Sequence, residues 1–318
     1  MDSSIVVITG ANSGIGKAAT YRFAREGYTV VMACRNADRS KAVRDQIVHQ
    51  TGNPQIEVLP LDISSLDSIR QFCNTFTAGY PRLDVLINNA AYFNHGSPYA
   101  VSSDNIELTF ATNVFGPFLL TRLLKDHLKK SGRPIVLNAG SNIIKHFFEP
   151  RLKINFDVLQ SAPADPKLYR VYNSYRDSKM ALLMLNFRLA EEFRQDGIRV
   201  NALQINGARM SKETLQKVSP GYRFIARIQN LFFRPPEFMA DRYYQICTSE
   251  TFYNLTGKLF NHKLAVMQPG QAKPGIFDAY KQVLGADLYP PYAHHQETTD
   301  KLWLMCQEIT QSAFPANP

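Results

Sequence analysis

The chain has 318 residues, 45% hydrophobic and 20% charged, with a formal net charge of +9, and no repeat or low-complexity run divides it, so one large domain is expected. Basic residues are scattered, not gathered into a DNA-reading stripe, which excludes a nucleic-acid partner and leaves a mild attraction for anionic ligands. Four widely separated cysteines without Cys-x-x-Cys spacing argue against structural zinc and disulfides and for a cytoplasmic protein; with a strand-like run already at Ile5 and no bilayer-length apolar stretch, no signal peptide or integral membrane segment is expected.

Short β-branched runs at 5–9, 29–33, 56–61, 85–88, 135–138 and 199–203 read as strands. Between them lie amphipathic stretches at 18–25, 40–49, 66–76 and 107–128 that read as helices. This alternation predicts an α/β fold: a doubly wound parallel sheet of Rossmann type in three αβα layers, with ligands at the carboxyl ends of the strands.

The first strand ends in Thr9-Gly10-Ala11-Asn12-Ser13-Gly14-Ile15-Gly16-Lys17 and enters a helix directly. Gly10 allows a sharp exit, Gly14 lets backbone N–H groups approach a pyrophosphate, and Gly16 permits close packing of helix on sheet. The glycine spacing is G-x-x-x-G-x-G and not G-x-G-x-x-G. After the second strand stands Arg35, where an acidic residue would accept from a ribose 2′-hydroxyl; a guanidinium, with Lys17 of the glycine loop and Arg39 nearby, suits a 2′-phosphate, and so NADP(H) in preference to NAD(H).

Farther along, the 175–193 stretch predicts a long helix with Tyr175 and Lys179 one turn apart on one face. An ammonium beside a phenol stabilises the phenolate, so the Tyr175 pKa is expected to fall toward neutrality and the pair to move a proton. Tyr172, with Arg176 four residues on, is a second, more distant candidate.

Together these features resemble the short-chain dehydrogenase/reductases, and most of all their retinol dehydrogenase-like branch. Carrying the resemblance are the glycine loop, Ala33-Cys34-Arg35, Leu61-Asp62-Ile63, Leu86-Ile87-Asn88-Asn89-Ala90, Thr112-Asn113, Gly140-Ser141 and Tyr175 to Lys179, with the stretches at 153–160 and 231–236. The protochlorophyllide reductase branch is also similar, but no cysteine lies between Cys73 and Cys247 where those enzymes carry a functional one. The resemblance implies hydride transfer between a nicotinamide cofactor and a small-molecule alcohol or carbonyl, with Tyr175 as general acid/base and Lys179 on the nicotinamide ribose. It further implies that Ser141 polarises the substrate oxygen and that Asn113 fixes a water in a proton relay. A register shifted by one would instead place Gly140 at the serine position. Cofactor contacts are implied for Gly10, Asn12, Ser13, Gly14, Ile15, Gly16, Arg35, Asp62, Ile63, Asn89, Ala90, Ala91, Tyr175 and Lys179.

Two departures from the family stand out: Ala91 replaces a glycine, and Leu203-Gln204-Ile205-Asn206-Gly207 lacks the usual Pro-Gly pair. Substrate contacts are expected from Phe93, His95, Asn142, His146, Phe147 and Tyr172. The apolar and arginine-interleaved segment 211–236 reads as a substrate lid, as a packed helix, or as a peripheral membrane contact. Residues 237–318 are expected to complete the sheet and its cover, with a strand at 258–260, a Pro/Gly-rich loop at 269–274 and a last helix at 298–310. His294 and His295 lack a third ligand at metal spacing, so no metal is assigned. Monomer and homodimer both remain open, as does a nucleotide-binding sensor or scaffold without turnover.

Overall fold

The computed structural model describes residues 3–93, 97–159, 169–207, 233–272, 275 and 282–310. Strands β1 (Ile5–Thr9), β2 (Thr29–Cys34), β3 (Ile56–Pro60), β4 (Val85–Asn88), β5 (Ile135–Ser141), β6 (Arg199–Ile205) and β7 (Lys258–Phe260) form one sheet in the order β3-β2-β1-β4-β5-β6-β7. Every neighbouring pair is parallel. Because β1 pairs with both β2 and β4, the strand order reverses there and opens a crevice at the carboxyl ends of the two central strands.

Apolar side chains fill both faces, as a sheet covered on both sides requires. Val6, Ile8, Val30 and Met32 pack with Phe23 of helix α1 (Gly14–Arg25) and Tyr243 of a helix near the carboxyl end. Their neighbours Val7, Val31, Leu86 and Val136 face the opposite way, into a core shared with helix α3 (Leu66–Gly79). Helix α2 (Ala37–Thr51) begins at Asn36, whose side chain accepts from the Arg39 N–H, and ends at Gly52 with φ +71°.

The single helix expected over 107–128 is broken in four. It runs as α4 (Leu108–Phe110), a π-turn (Ala111–Phe115), α5 (Gly116–Leu123) and α6 (Lys125–Lys129). In the π-turn the Gly116 N–H reaches back to the Ala111 carbonyl, and a Cβ on Gly116 would sit 2.0 Å from the Ile63 carbonyl oxygen. The extra residue therefore lets this helix press against the loop after β3, and it turns Asn113 inward.

Helix α7 (Val171–Glu192) starts one turn earlier than expected, and helix α8 (Pro236–Thr248) packs on α1. Part of the anticipated Pro/Gly-rich loop is a second, two-stranded sheet, β8 (Gln268–Pro269) against β9 (Leu288–Tyr289). Helix α9 (Gln296–Thr310) covers α5 and α7, with Trp303 edge-on to Phe118 at 5.3 Å and Leu302 buried. Of the expected lid, residues 211–232 lie outside the described residues. Among the described residues no helix is long and apolar enough to cross a membrane.

Candidate active site

The loop from β1 to α1 bends as its glycines allow: Gly10 has φ +64° and Gly14 φ +52°, in the left-handed region closed to most side chains. Gly16 is dictated by space, since a Cβ there would lie 2.2 Å from the Gly10 carbonyl oxygen and 2.6 Å from Asn89 Nδ2. Across the crevice, the loop after β4 is tied to this one by a network that joins the predicted residues Asn89 and Ala90 to Thr9 and Tyr243. Thr9 Oγ1 accepts from both the Asn89 and Ala90 N–H groups at 2.9 Å, and Asn89 Nδ2 donates to the Thr9 carbonyl at 2.9 Å. Tyr243 of α8, 154 residues away in sequence, donates to Asn89 Oδ1 at 3.3 Å. A hydroxyl beside Gly10 could have been singled out from the sequence; Tyr243 could not.

These loops open into a cleft of about 1670 Å³ that runs along the carboxyl ends of the strands. It is lined by Gly10, Asn12, Ser13, Gly14, Ile15, Arg35, Asp62, Ile63, Asn89, Ala90 and Ala91 at one end, and by Ser141, Tyr175 and Lys179 at the other. Gly16 lies beneath the loop and not on the cleft wall. Asn12 is held by a 2.9 Å bond from its Nδ2 to Ser40 Oγ, and Lys17 Nζ by Gln46 Oε1 at 2.8 Å. Arg35 is largely exposed, its guanidinium only 3.9 Å from the Asp62 carboxylate, which in turn accepts from the Ser64 N–H and hydroxyl.

The other end is built from β5, α7 and the loop after β4. Ser141, the last residue of β5, faces the Tyr175 phenol. Gly140 sits where a Cβ would come within 3.0 Å of the Leu203 carbonyl oxygen, so of the two registers left open by the sequence, Ser141 presents the hydroxyl. Lys179, 3% exposed, donates to the Ala139 carbonyl at 2.9 Å and lies 5.7 Å from the Tyr175 ring centre.

The expected fall of the Tyr175 pKa is overturned. Burial pushes the phenol above its ordinary value, with the Ser141 hydroxyl pulling it partly back. Burial drives Lys179 the other way, down to about 8, since a charged ammonium is poorly solvated there.

Asn113 is brought to the site with its side chain fully bonded. Its Oδ1 accepts from the Tyr92 N–H at 2.8 Å, and its Nδ2 donates to the Tyr92 carbonyl at 3.2 Å and to Ser178 Oγ at 3.0 Å. The side chain thereby clamps the loop after β4 onto α7.

Among the expected substrate residues, Asn142 lines the cleft, and Phe93 does so with its ring 4.6 Å from that of Tyr175. Tyr172 is 40% exposed outside the cleft, bonded to His146 Nε2 at 2.9 Å, and its expected cationic neighbour Arg176 is paired instead with Asp177 at 2.7 Å. Burial, with Arg176 nearby, lowers the His146 pKa. Phe147 is a correction: it is 2% exposed and stacked on Tyr292 at 5.2 Å, so it belongs to the core. His95 lies outside the described residues. In place of the Pro-Gly pair, Gly207 has φ +96° with its missing Cβ pointing 2.7 Å from the Phe233 ring, and Asn206 Nδ2 lies 2.9 Å from His262 Nδ1. Asn206, Gly207 and Phe233 line the cleft.

A family model described as short chain dehydrogenase matches residues 4–148. Retinol dehydrogenase 13 of Homo sapiens is 31% identical over 313 residues, covering 94% of this chain and 82% of that protein. Retinol dehydrogenase 13 of Mus musculus is 31% identical over 261 residues, covering 80% and 75%. A Shigella flexneri short chain dehydrogenase complexed with NADP shares the fold, with a TM-score of 0.63 at 23% identity over 83% of this chain and 98% of that one. With its seven-stranded parallel sheet and these relatives, the chain belongs to the short-chain dehydrogenase/reductase family of oxidoreductases, in the retinol dehydrogenase-like branch.

Proposed function

We propose that the protein is an NADP(H)-dependent oxidoreductase that interconverts an alcohol and a carbonyl on a mostly apolar small molecule. One observation carries this reading: Ser141, Tyr175 and Lys179 meet at one end of a cleft whose other end is the Gly10 to Gly16 loop. The cleft suits a dinucleotide, because Gly16 leaves no room for even a methyl group between helix and loop, and the α1 N-terminus opens toward it with no side-chain cap on Ser13. Arg35, held only loosely by Asp62, would take the 2′-phosphate, and Asp62, Ile63, Asn89, Ala90 and Ala91 would line the adenosine half.

When bound, the nicotinamide supplies or accepts the hydride. Tyr175 gives its phenolic proton to the carbonyl oxygen during reduction and takes it back during oxidation. Ser141 donates to the same oxygen and holds it against the phenol. Lys179 orients the ribose, and Asn113 keeps the loop after β4 in place. Burial raises the phenol's pKa, so its protonated form is the one present at neutral pH to act as the donor for reduction. Phe93, Ile205 and Phe233 supply the apolar walls that point to an apolar substrate. Four buried, unpaired cysteines support a reducing cytoplasmic setting.

The test is consumption of NADPH and of NADH against a panel of carbonyl compounds, repeated with Tyr175→Phe. Turnover with NADPH is expected, reduced by roughly 100-fold or more in the variant with cofactor affinity kept. Cofactor binding without turnover on any carbonyl would sink the reading in favour of a nucleotide sensor; equal turnover by Tyr175→Phe would remove the tyrosine from the mechanism.

A further inference from the structure

At the opposite end of the sheet, where β5 and β6 begin, lies a separate cavity of about 210 Å³ lined by Arg133, Arg194, Arg199, Tyr253, Asn254 and Thr256. The length of the seven-residue strands β5 and β6 puts it roughly 20 Å from Ser141 and Tyr175, on the far side of the sheet. Arg199 is its floor. This guanidinium is only 8% exposed, yet among the described residues no carboxylate lies within ion-pair distance of it, and its hydrogen bond goes to a backbone carbonyl, that of Arg133, at 3.3 Å. A buried charge of this kind ordinarily has an anionic partner.

The surroundings are arranged for one. The Tyr253 ring has Arg133 at 4.8 Å and Arg199 at 5.2 Å, so cation–π contacts hold the planes of two guanidiniums and leave their N–H edges to donate elsewhere. Among the described residues one carboxylate, Glu250, pairs with a lining arginine, Arg133, and it is 72% exposed. Asp196, two residues from Arg194, is drawn off by Lys125 and Lys129 at 2.8 and 3.1 Å. Three arginines against Glu250 leave two positive charges unbalanced around a cavity wide enough for an oxyanion and the atom that bears it. Burial lowers the Arg199 pKa, against a partial pull upward from Cys247, Tyr253 and Glu250, with Arg133 adding a smaller push down.

We infer that this cavity is a second binding site, distinct from the cofactor cleft, for a phosphate group held by Arg199 from below and by Arg133 and Arg194 from the rim, with Asn254 and Thr256 beside it. Guanidiniums bind phosphate in forked pairs, which suits three of them converging on one cavity.

The inference does not rest on the catalytic reading and is tested apart from it, by thermal unfolding of the full chain titrated with inorganic phosphate at ionic strength held constant with chloride. A saturable rise in Tm is expected for the wild type and for Arg35→Ala, which disables the other phosphate-facing guanidinium. In the exposed double variant Arg133→Met/Arg194→Met, checked for folding by circular dichroism, the phosphate affinity is expected to fall roughly tenfold or more. Absence of a saturable rise, or a rise that survives the double variant and disappears with Arg35→Ala, overturns the inference. Vesicles of phosphatidylcholine containing phosphatidic acid separate the sources. Co-sedimentation abolished by the double variant assigns the site to a lipid headgroup; saturation by soluble phosphate without co-sedimentation assigns it to a small phosphorylated molecule.

Discussion

At the scale of single residues, the tyrosine and lysine share a helix face as their spacing requires, but their protonation is set by burial and not by each other. Confining the Lys179 ammonium until its pKa is about 8 costs roughly 3 kcal/mol in the charged form, a cost the hydrogen bond to Ala139 offsets only in part. Lys179→Met is therefore expected to raise Tm by a few degrees while abolishing turnover, a pairing that scanning calorimetry and an activity assay would check together. The sign with pH follows from linkage. The folded pKa of about 8 lies below the unfolded value of 10.5, so between those limits the unfolded chain holds a proton that the fold has released. The lysine thus destabilises the fold fully below pH 8 and progressively less as pH rises toward 10.5. Urea titrations should show the stability gap between Lys179→Met and wild type closing over that window; a gap independent of pH would mean that burial of the charge is not its origin. Tyr175 was legible as a candidate for proton transfer because i and i+4 spacing is local. The direction of its shift was not, because desolvation depends on what the rest of the chain places around it.

At the scale of elements, three loop glycines and one π-turn shape the cleft. Gly10, Gly14 and Gly16 could be read in advance, since a tight strand-to-helix turn needs left-handed backbone and close packing needs a missing side chain. Gly16→Ala is expected to cost about 1–3 kcal/mol or more, because the new methyl meets the Gly10 carbonyl and Asn89, both anchored by the Thr9 network. Denaturant unfolding with and without NADPH would check it: both stability and cofactor affinity should fall, and a loss of affinity alone would contradict the steric account. The break in the 107–128 helix was hidden from periodicity. Ala111 to Gly116 carries no helix-breaking residue before Pro117, and the π-turn arises because Gly116 must clear the Ile63 carbonyl while Asn113 meets the Tyr92 backbone. Phe147 illustrates the same limit: an aromatic next to His146 in a loop before the catalytic helix reads as a pocket wall, and only the packing of Tyr292 from beyond β9 makes it core.

At the scale of the whole molecule, the carboxyl-terminal third is more than a completion of the sheet. Helix α8 buttresses the cofactor end through Tyr243 and Asn89, and helix α9 seals α5 and α7 through Leu302 and Trp303, with Arg122 and Arg188 flanking the indole at 5.7 and 5.6 Å. Leu302→Ala leaves a cavity at a fully buried position and is expected to cost about 2–5 kcal/mol. Because α7 carries Tyr175 and Lys179 at its other end, the same variant should unfold cooperatively with the active-site helix. Hydrogen exchange across 171–192 would read this, and exchange confined to α9 would show that α9 is an independent flap.

Local pattern along the chain made legible the alternating strands and helices, the glycine loop, the Tyr175 to Lys179 pair and the strand-end positions of Arg35 and Asp62. All of these depend on local spacing: period 2 or 3.6, the backbone freedom of glycine, and the rule that loops follow strands. Packing between distant segments was needed to place the Ser141 hydroxyl against the phenol, to set which way burial moves the two titrating groups, to make Asn113 a clamp, and to bring three arginines around one cavity. Each of those depends on distance between residues far apart in the chain, which spacing along the sequence does not encode.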